Sequence, residues 1–330
     1  MIKKCFLCLY FFVLSAFCFA NNLDDEILKA ITFLIPENNL LIEVETPCYD
    51  ETFAAAEFSE YLKDSIESVI STIGKELFDY DNNKSVESKI ADYSDSGYLL
   101  SKTANISQRK MPDGTLSSTF SEKNNIVTIF FEYGKFDGTK KKIKTSISTK
   151  DLPGMKYQPD NLELARQVYA DVENANKFAM RNTDKSIPIV AALLDSEDNL
   201  VDIVYPDSRV HFVIGAPEKD AYVSILNISA EGKKFLLKLD KEGSDTTFIP
   251  AGETWESPNF KPVDNVYGQE TLYIFAASTP KELPSSVSNL QYVPNMITSF
   301  TRELMFDLSD DKNATGTFAL TYTVLPSPEN

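Results

Sequence analysis

The sequence predicts an α+β protein: an N-terminal α/β sandwich, with helices on a mostly antiparallel sheet, followed by a C-terminal antiparallel β-sandwich. Three observations carry this. A strongly amphipathic helical segment follows an early strand. A meander of β-branched and aromatic runs comes next. From Ile187 onward short apolar runs recur between turn residues, the spacing of an all-β unit.

The chain opens on a basic start, Met1-Ile2-Lys3-Lys4, and an apolar run from Cys5 to Phe19. It ends in Cys18-Phe19-Ala20 before Asn21-Asn22, the layout of a secretory signal peptide over residues 1–20. A membrane span needs about 20 apolar residues. This run is shorter and no later one approaches that length, so no transmembrane helix is expected in the mature chain. A rival reading is a lipid anchor at Cys18. Leu14-Ser15-Ala16-Phe17-Cys18 has the outline of a bacterial lipobox, although Phe17 is bulky where that site takes a small residue.

Residues 21–155 are expected to form the first domain, entered through a polar linker from Asn21 to Glu26. Leu40 to Glu45 reads as a strand stopped by Thr46-Pro47. Phe58, Leu62, Ile66, Val69, Ile70, Ile73 and Leu77 then recur at helical steps, with acids and lysines on the opposite face. Polar residues from Asp79 to Lys84 break this helix. Strand-like runs follow at Gly97 to Leu100 and Ala104 to Ser107, then at Asn125 to Tyr133. The last, Lys142 to Ser148, alternates apolar and polar. Asp137-Gly138 is a hairpin turn signal between the last two.

Residues 156–185 read as a helical connector, with Asp160 as N-cap and Leu164, Ala165, Val168, Val172, Ala175 and Ala179 on one face. The second domain is expected over 186–326. Its strands are Pro188 to Leu194, Leu200 to Tyr205, Val210 to Ile214, Tyr222 to Ile228, Phe235 to Leu239, Leu272 to Ala277 and Phe318 to Val324. One short helix is expected around Ile297 to Met305.

Composition limits the chemistry. Lys+Arg number 32 against 49 Asp+Glu, a formal charge of −17, and loss of residues 1–20 removes only Lys3 and Lys4. So negative a chain repels nucleic-acid phosphates and anionic membranes and suits cationic partners or divalent ions; acidity for solubility alone is the plainer account. The mature chain keeps one cysteine, Cys48, so no intramolecular disulfide forms after cleavage. Cys48 reads as a buried small residue or as an exposed thiol. His211 is the only histidine, flanked by Val210 and Phe212 in a strand and facing away from both, which suits a structural role.

No glycine-rich phosphate loop occurs. Lys140-Lys141-Lys142 with Lys144 forms the one basic patch, placed to block edge pairing or to meet an anionic polymer. Asp79, Asp81, Asn83 and Glu87 have partial calcium-loop spacing, with Lys84 where the turn requires glycine. Asp307, Asp310 and Asp311 make a second acidic cluster. Trp255 stands beside Glu253 and Glu256 in a loop, where with Tyr222 or Tyr267 it stacks on a sugar or peptide, or else plugs the core. No catalytic, cofactor-binding or metal residue stands out, and no cofactor is expected.

Two resemblances add to this. Val210-His211-Phe212-Val213, Asp220 to Ile228, Gly232, Ile249-Pro250-Ala251-Gly252-Glu253, Tyr267-Gly268-Gln269-Glu270 and Leu272 to Ala277 together resemble the bacterial domain of unknown function 4384, over roughly residues 187–325. That resemblance implies a β-sandwich of envelope or multidomain sensory proteins without assigned catalysis. The order of the elements Leu40 to Glu45, Glu57 to Leu62, Ser96 to Leu100 and the meander ending at Ile147 is similar to the α/β domains of curli-assembly and penicillin-binding-protein-activator lipoproteins. These readings converge on an exported, non-enzymatic cell-envelope accessory protein, periplasmic or at the cell surface, that binds an envelope protein partner. The alternatives are a carbohydrate- or peptidoglycan-active or -binding protein, and a calcium-stabilised surface module.

Overall fold

A computed structural model describes residues 22–78, 112–135, 137–179, 187–215, 219–239, 244–262, 265–280, 291–292, 294–299, 301 and 314–327. Residues 1–20 with Cys18, the runs 97–100 and 104–107, and both acidic clusters, Asp79 to Glu87 and Asp307 to Asp311, lie outside these residues. The architecture is α+β, with few helices and many strands in mixed and antiparallel sheets. The described residues fall into two compact units. One comprises 22–50, 57–78 and 112–158; the other comprises 51–56 and the residues from 159 onward.

The first unit opens with α1 (Asn22–Leu34), where the sequence suggested a linker. Leu23, Ile27, Ala30, Ile31 and Leu34 are all buried, a stripe at three- and four-residue steps. Strand β1 (Leu41–Val44) and the two-residue β2 (Cys48–Tyr49) follow, then α2 (Glu57–Thr72) and β3 (Glu76–Leu77). Helix α2 buries Phe58, Leu62, Ile66, Val69 and Ile70, as its periodicity predicts. It stops five residues before Leu77, however. Lys75 N–H donates to Ile70 O at 3.2 Å, and Gly74 N–H donates to Ser71 O at 3.3 Å with Gly74 at φ 73°. This is a Schellman motif, and the left-handed glycine ends the helix although the apolar spacing runs on.

The long strands are β4 (Gly114–Lys123), β5 (Ile126–Lys135) and β6 (Lys140–Ser148), and the sheet order is β3-β1-β4-β5-β6 with β2 also on β4. The pairs β4–β5 and β5–β6 are antiparallel, but β1, β2 and β3 pair parallel, so the sheet is mixed. Strand β4 was not expected. It joins β5 through Asn124-Asn125, both left-handed at φ 56° and 61°, opposite the pair Lys123 and Ile126. Positive φ at both central residues is the two-residue hairpin turn that asparagine tolerates. At the next hairpin, Lys135 N–H donates to Thr139 O at 2.9 Å around Gly138 at φ 86°, as Asp-Gly predicts. Leu116, Phe120, Val127, Ile129, Phe131, Tyr133 and Ile147 are buried, and Phe58 of α2 meets Phe120 edge-on at 5.0 Å. Strand β6 is the last of the order, so Lys140, Lys141, Lys142 and Lys144 lie on an edge.

The second unit begins its helix later than expected. Helix α3 runs Leu162–Ala179, and Ala165 N–H donates to Asn161 O, making Asn161 rather than Asp160 the cap. The Asn161 amide is held by Ala230 O at 2.5 Å, and asparagine tolerates the φ of 53° this requires. The strands are β7 (Val190–Asp195), β8 (Ile203–Val204), β9 (Val210–Gly215), β10 (Ala221–Ile228), β11 (Lys234–Leu236), β12 (Thr247–Ile249), β13 (Thr254–Glu256), β14 (Gly268–Ala277) and β15 (Thr315–Val324). They form a larger sheet, β11-β10-β14-β15-β8 with β12 on β10, and a smaller one, β13-β9-β7.

Strand β14 is buried along its whole length because both its faces are covered. Leu272, Ile274 and Ala276 join Val223 and Ile225 of β10, Val210, Phe212 and Ile214 of β9, and Leu193 of β7 in one core. Tyr273 and Phe275 face the other way, against Val168, Val172 and Ala175 of α3. That second layer is pinned by Asp171, buried on α3. Its carboxylate accepts from Ile297 N–H at 2.8 Å, Thr298 N–H at 2.8 Å and Tyr292 OH at 3.0 Å. These bonds cap a helical turn at Met296–Ser299, which overlaps the start of the short helix the sequence predicts.

Candidate functional site

The inner face of the larger sheet changes character along its strands. Position parity on β14 places Glu270 beside Leu272, Ile274 and Ala276, and parity on β10 places Asn227 beside Val223 and Ile225. A plain core would carry apolar residues at 227 and 270. Here the face ends in Asn227, Ser229, Glu270 and Tyr322, and a cleft of about 540 Å³ opens over them. Phe212 of β9 and Trp255 of β13 line its opposite side, with Ser257 to Pro262. Phe235, Leu237, Leu239, Leu272 and Val266 complete the apolar lining. This volume lies within the range of small-ligand sites, and an apolar cavity with a few convergent polar groups is their usual form.

Each polar group is positioned by pairing. Glu270 and Tyr322 stand directly opposite in the β14–β15 register, and Tyr322 OH donates to Glu270 Oε2 at 2.6 Å. Both are almost fully buried, at 8% and 3% exposure. Burial pushes the Glu270 carboxyl up, and the hydrogen bonds from Tyr322 and the Ala230 N–H only partly offset it. Burial first, then the neighbouring Glu270 carboxylate, drive the Tyr322 phenol well above its ordinary range. Asn227 Oδ1 is buried with no hydrogen-bond partner among the described residues. Ser229 Oγ accepts from Lys233 N–H at 3.1 Å. At the rim Lys233 pairs with Glu231, and Lys238 lies 3.9 Å from Asp245.

Trp255 therefore stands in a strand, paired with Ile214, rather than in a loop. It is half-buried, with its ring centroid 5.7 Å from Phe212; Phe212 in turn lies 6.2 Å from Phe260. Neither tyrosine suggested as its companion lines the cleft. Tyr222 meets Phe248 at 5.1 Å, and Tyr267 packs on the core. His211 points away from the cleft, on the other face of β9. Its Nε2 is 3.6 Å from Asp198 Oδ1, and its Nδ1 is buried without a hydrogen-bond partner among the described residues. Cys48 is half-buried, its Sγ 3.5 Å from Thr46 O.

The lysine run is engaged in part. Lys140 Nζ lies 2.8 Å from Glu132, and Lys142 pairs with the same carboxylate. Burial pushes Glu132 up, and the two lysines more than reverse that, leaving it below its ordinary value. Among the described residues no group of three or more His, Cys, Asp or Glu is placed to hold a metal ion. No described helix is long and apolar enough to cross a membrane.

Sequence reasoning did not single out Glu270, Tyr322 or Asn227. The available signal was parity: each sits at an inward position of a strand whose other inward residues are apolar.

No family model matches the chain, so the resemblance to domain of unknown function 4384 rests on its residues alone. No curated protein matches it. Among solved structures it is similar to the LpoB C-terminal domain from Escherichia coli, at 10% identity over 39% of this chain and 99% of that one, with a TM-score of 0.27. The LpoB C-terminal domain from Salmonella enterica gives 12% identity over 38% and 94%, with a TM-score of 0.24.

Proposed function

We propose that this chain is an exported cell-envelope accessory protein that acts by binding, without catalysis, and that the cleft of its second unit is the binding site. The observation that carries the reading is the cleft itself, which is apolar-walled with the polar floor of Asn227, Glu270 and Tyr322. A buried carboxyl in an otherwise apolar sheet face costs stability, and such local rule-breaking clusters at functional sites. The leader layout of residues 1–20 supports export, to the periplasm or the cell surface, with an envelope protein as partner. The two units serve as the two domains, and the two sheets of the second as a β-sandwich. The shared core of β7, β9, β10, β14 and β15 supports that arrangement.

Capture from an envelope fraction tests the reading. Immobilised mature protein is compared with Asn259→Trp, which plugs the cleft mouth from an exposed position. Binding of the same partner by both proteins would remove the cleft from the account.

One alternative keeps a specific observation in its favour. A cleft with an aromatic wall and one carboxyl of raised pKa is what a carbohydrate- or peptidoglycan-active protein needs. The other carboxylate on the lining, Glu231, is held by Lys233 at the rim. Release of soluble fragments from purified peptidoglycan, lost in Glu270→Gln, would establish that alternative instead.

A further inference from the structure

We propose that the cleft receives a lysine or arginine side chain of a partner protein, its cationic head on Glu270 and Asn227 and its stem against the wall that Trp255 and Phe212 form together. The inference rests on the cleft being the binding site and names what enters it. The floor offers hydrogen-bond acceptors. Asn227 Oδ1 has no partner among the described residues, and the Glu270 carboxylate receives Tyr322 OH and the Ala230 N–H on an otherwise apolar face. A ligand satisfying these atoms must bring donors. An anion is repelled by Glu270, and a purely apolar group leaves Asn227 Oδ1 unpaired, which costs more than a hydrogen bond contributes.

The walls select among donors. Phe212, Trp255 and Phe260 bring aromatic rings to one side of the cleft, and Leu237, Leu239 and Leu272 line the rest. A long apolar stem with a cationic tip fits both regions, because aromatic faces attract cations and the stem covers apolar surface. The rim does not exclude such a group: Lys233 is paired with Glu231, and Lys238 lies near Asp245. At longer range the chain's formal charge of −17 draws cations in.

Protonation of Glu270 competes with the cation. The charged and titratable groups lining the cleft with Glu270 are Tyr322 of β15, Glu231 and Lys233 of the turn between β10 and β11, Lys238 after β11, and Lys261 after β13. A cation is held best when Glu270 is ionised, so affinity rises with pH as the raised Glu270 carboxyl loses its proton.

Trp255 is the only tryptophan, so its fluorescence reports on the cleft. The probes are N-acetyl-lysine amide, N-acetyl-arginine amide, N-acetyl-norleucine amide, which keeps lysine's four side-chain carbons without the ammonium, and the disaccharide chitobiose. A saturable shift is expected with the two cations, at least tenfold weaker for norleucine and at least tenfold weaker for lysine in Glu270→Gln. Equal binding of lysine and norleucine overturns the inference without needing the variant. A shift with chitobiose alone also overturns it, while leaving the cleft as a binding site of different chemistry. No shift with any probe overturns it too. If Asn259→Trp also leaves partner capture unchanged, the cleft reading itself falls.

Discussion

Replacing Asp171 by alanine removes the acceptor that ties α3 to the turn at Met296–Ser299. The carboxylate, 1% exposed, takes hydrogen bonds from Ile297 N–H and Thr298 N–H at 2.8 Å each, Thr298 Oγ1 at 2.5 Å and Tyr292 OH at 3.0 Å. The two hydroxyls can turn to other acceptors, but the two backbone N–H groups cannot. A hydrogen bond to a charged group contributes about 1.5–3 kcal/mol. Counting only the two backbone donors, at the lower end, Asp171→Ala costs about 3 kcal/mol. In a protein this large each kcal/mol lowers the melting temperature by about 2–4 °C, so a drop of about 6–12 °C is expected. Circular dichroism melts at pH 7, with urea titration as a second measure, read the effect. Asp171→Asn keeps one acceptor oxygen and should recover part of the loss. An alanine variant melting within about 2 °C of the parent would refute the assignment of Asp171 as the pin of that layer.

The remaining expectations concern glycines and charge. A Cβ on Gly316 would lie 1.9 Å from Ile187 O, so Gly316→Ala should cost about 3 kcal/mol or more, measured by urea unfolding. Gly74→Ala meets no neighbouring atom within 4 Å and should lose only about 1 kcal/mol, for placing a side chain at φ 73°. Glu270 is raised in the folded state, so it favours folding most below the unfolded-state value and that contribution is lost as pH rises through the folded one. Glu270→Gln should therefore unfold at higher denaturant than the parent at pH 7, with the advantage shrinking towards pH 4. Glu132 has the opposite sign, being lowered, so its contribution is present at pH 7 and fades as pH falls. Because its lysine partners are largely exposed, Glu132→Gln should cost no more than about 1 kcal/mol and less at high salt.

The parts of the fold legible in the sequence are those where burial is one-sided and the residues apolar. Helix α2 shows its stripe, β6 alternates Ile143, Thr145 and Ile147 with polar residues, and the strands of the second unit are runs of Val, Ile, Leu and Phe. Strand β4 was hidden because its inward positions include Gly114 and Ser118, and its outward ones are Thr115, Ser117 and Thr119. Period-two burial leaves no hydrophobic trace when half of the inward residues are small or polar. Helix α1 was hidden by Asn22, Asp24 and Asp25 in its first turn, which read as a polar linker. At the end of α2, Ile73 and Leu77 continue the apolar spacing past a glycine that in fact reverses the chain.

The cleft was not legible at all, for a physical reason. Glu270 and Tyr322 are 52 residues apart and meet only through the pairing of β14 with β15. Trp255 and Phe212 come from another sheet, so the site exists only in the tertiary packing. Likewise nothing local in Glu51 to Ala56 marks it as part of the second unit, where Ala55 N–H donates to Thr323 Oγ1 at 2.9 Å.

Cross-linking from the cleft in the living cell tests the binding account most directly. A photoreactive amino acid replaces Phe260, on the cleft lining, and in a parallel strain Lys63, on α2 of the first unit. With residues 1–20 intact, the account predicts one reproducible adduct to an envelope protein from position 260. That adduct should be absent from position 63 and abolished by Asn259→Trp. Identical adducts from both positions, or an adduct from 260 that Asn259→Trp leaves untouched, would contradict it.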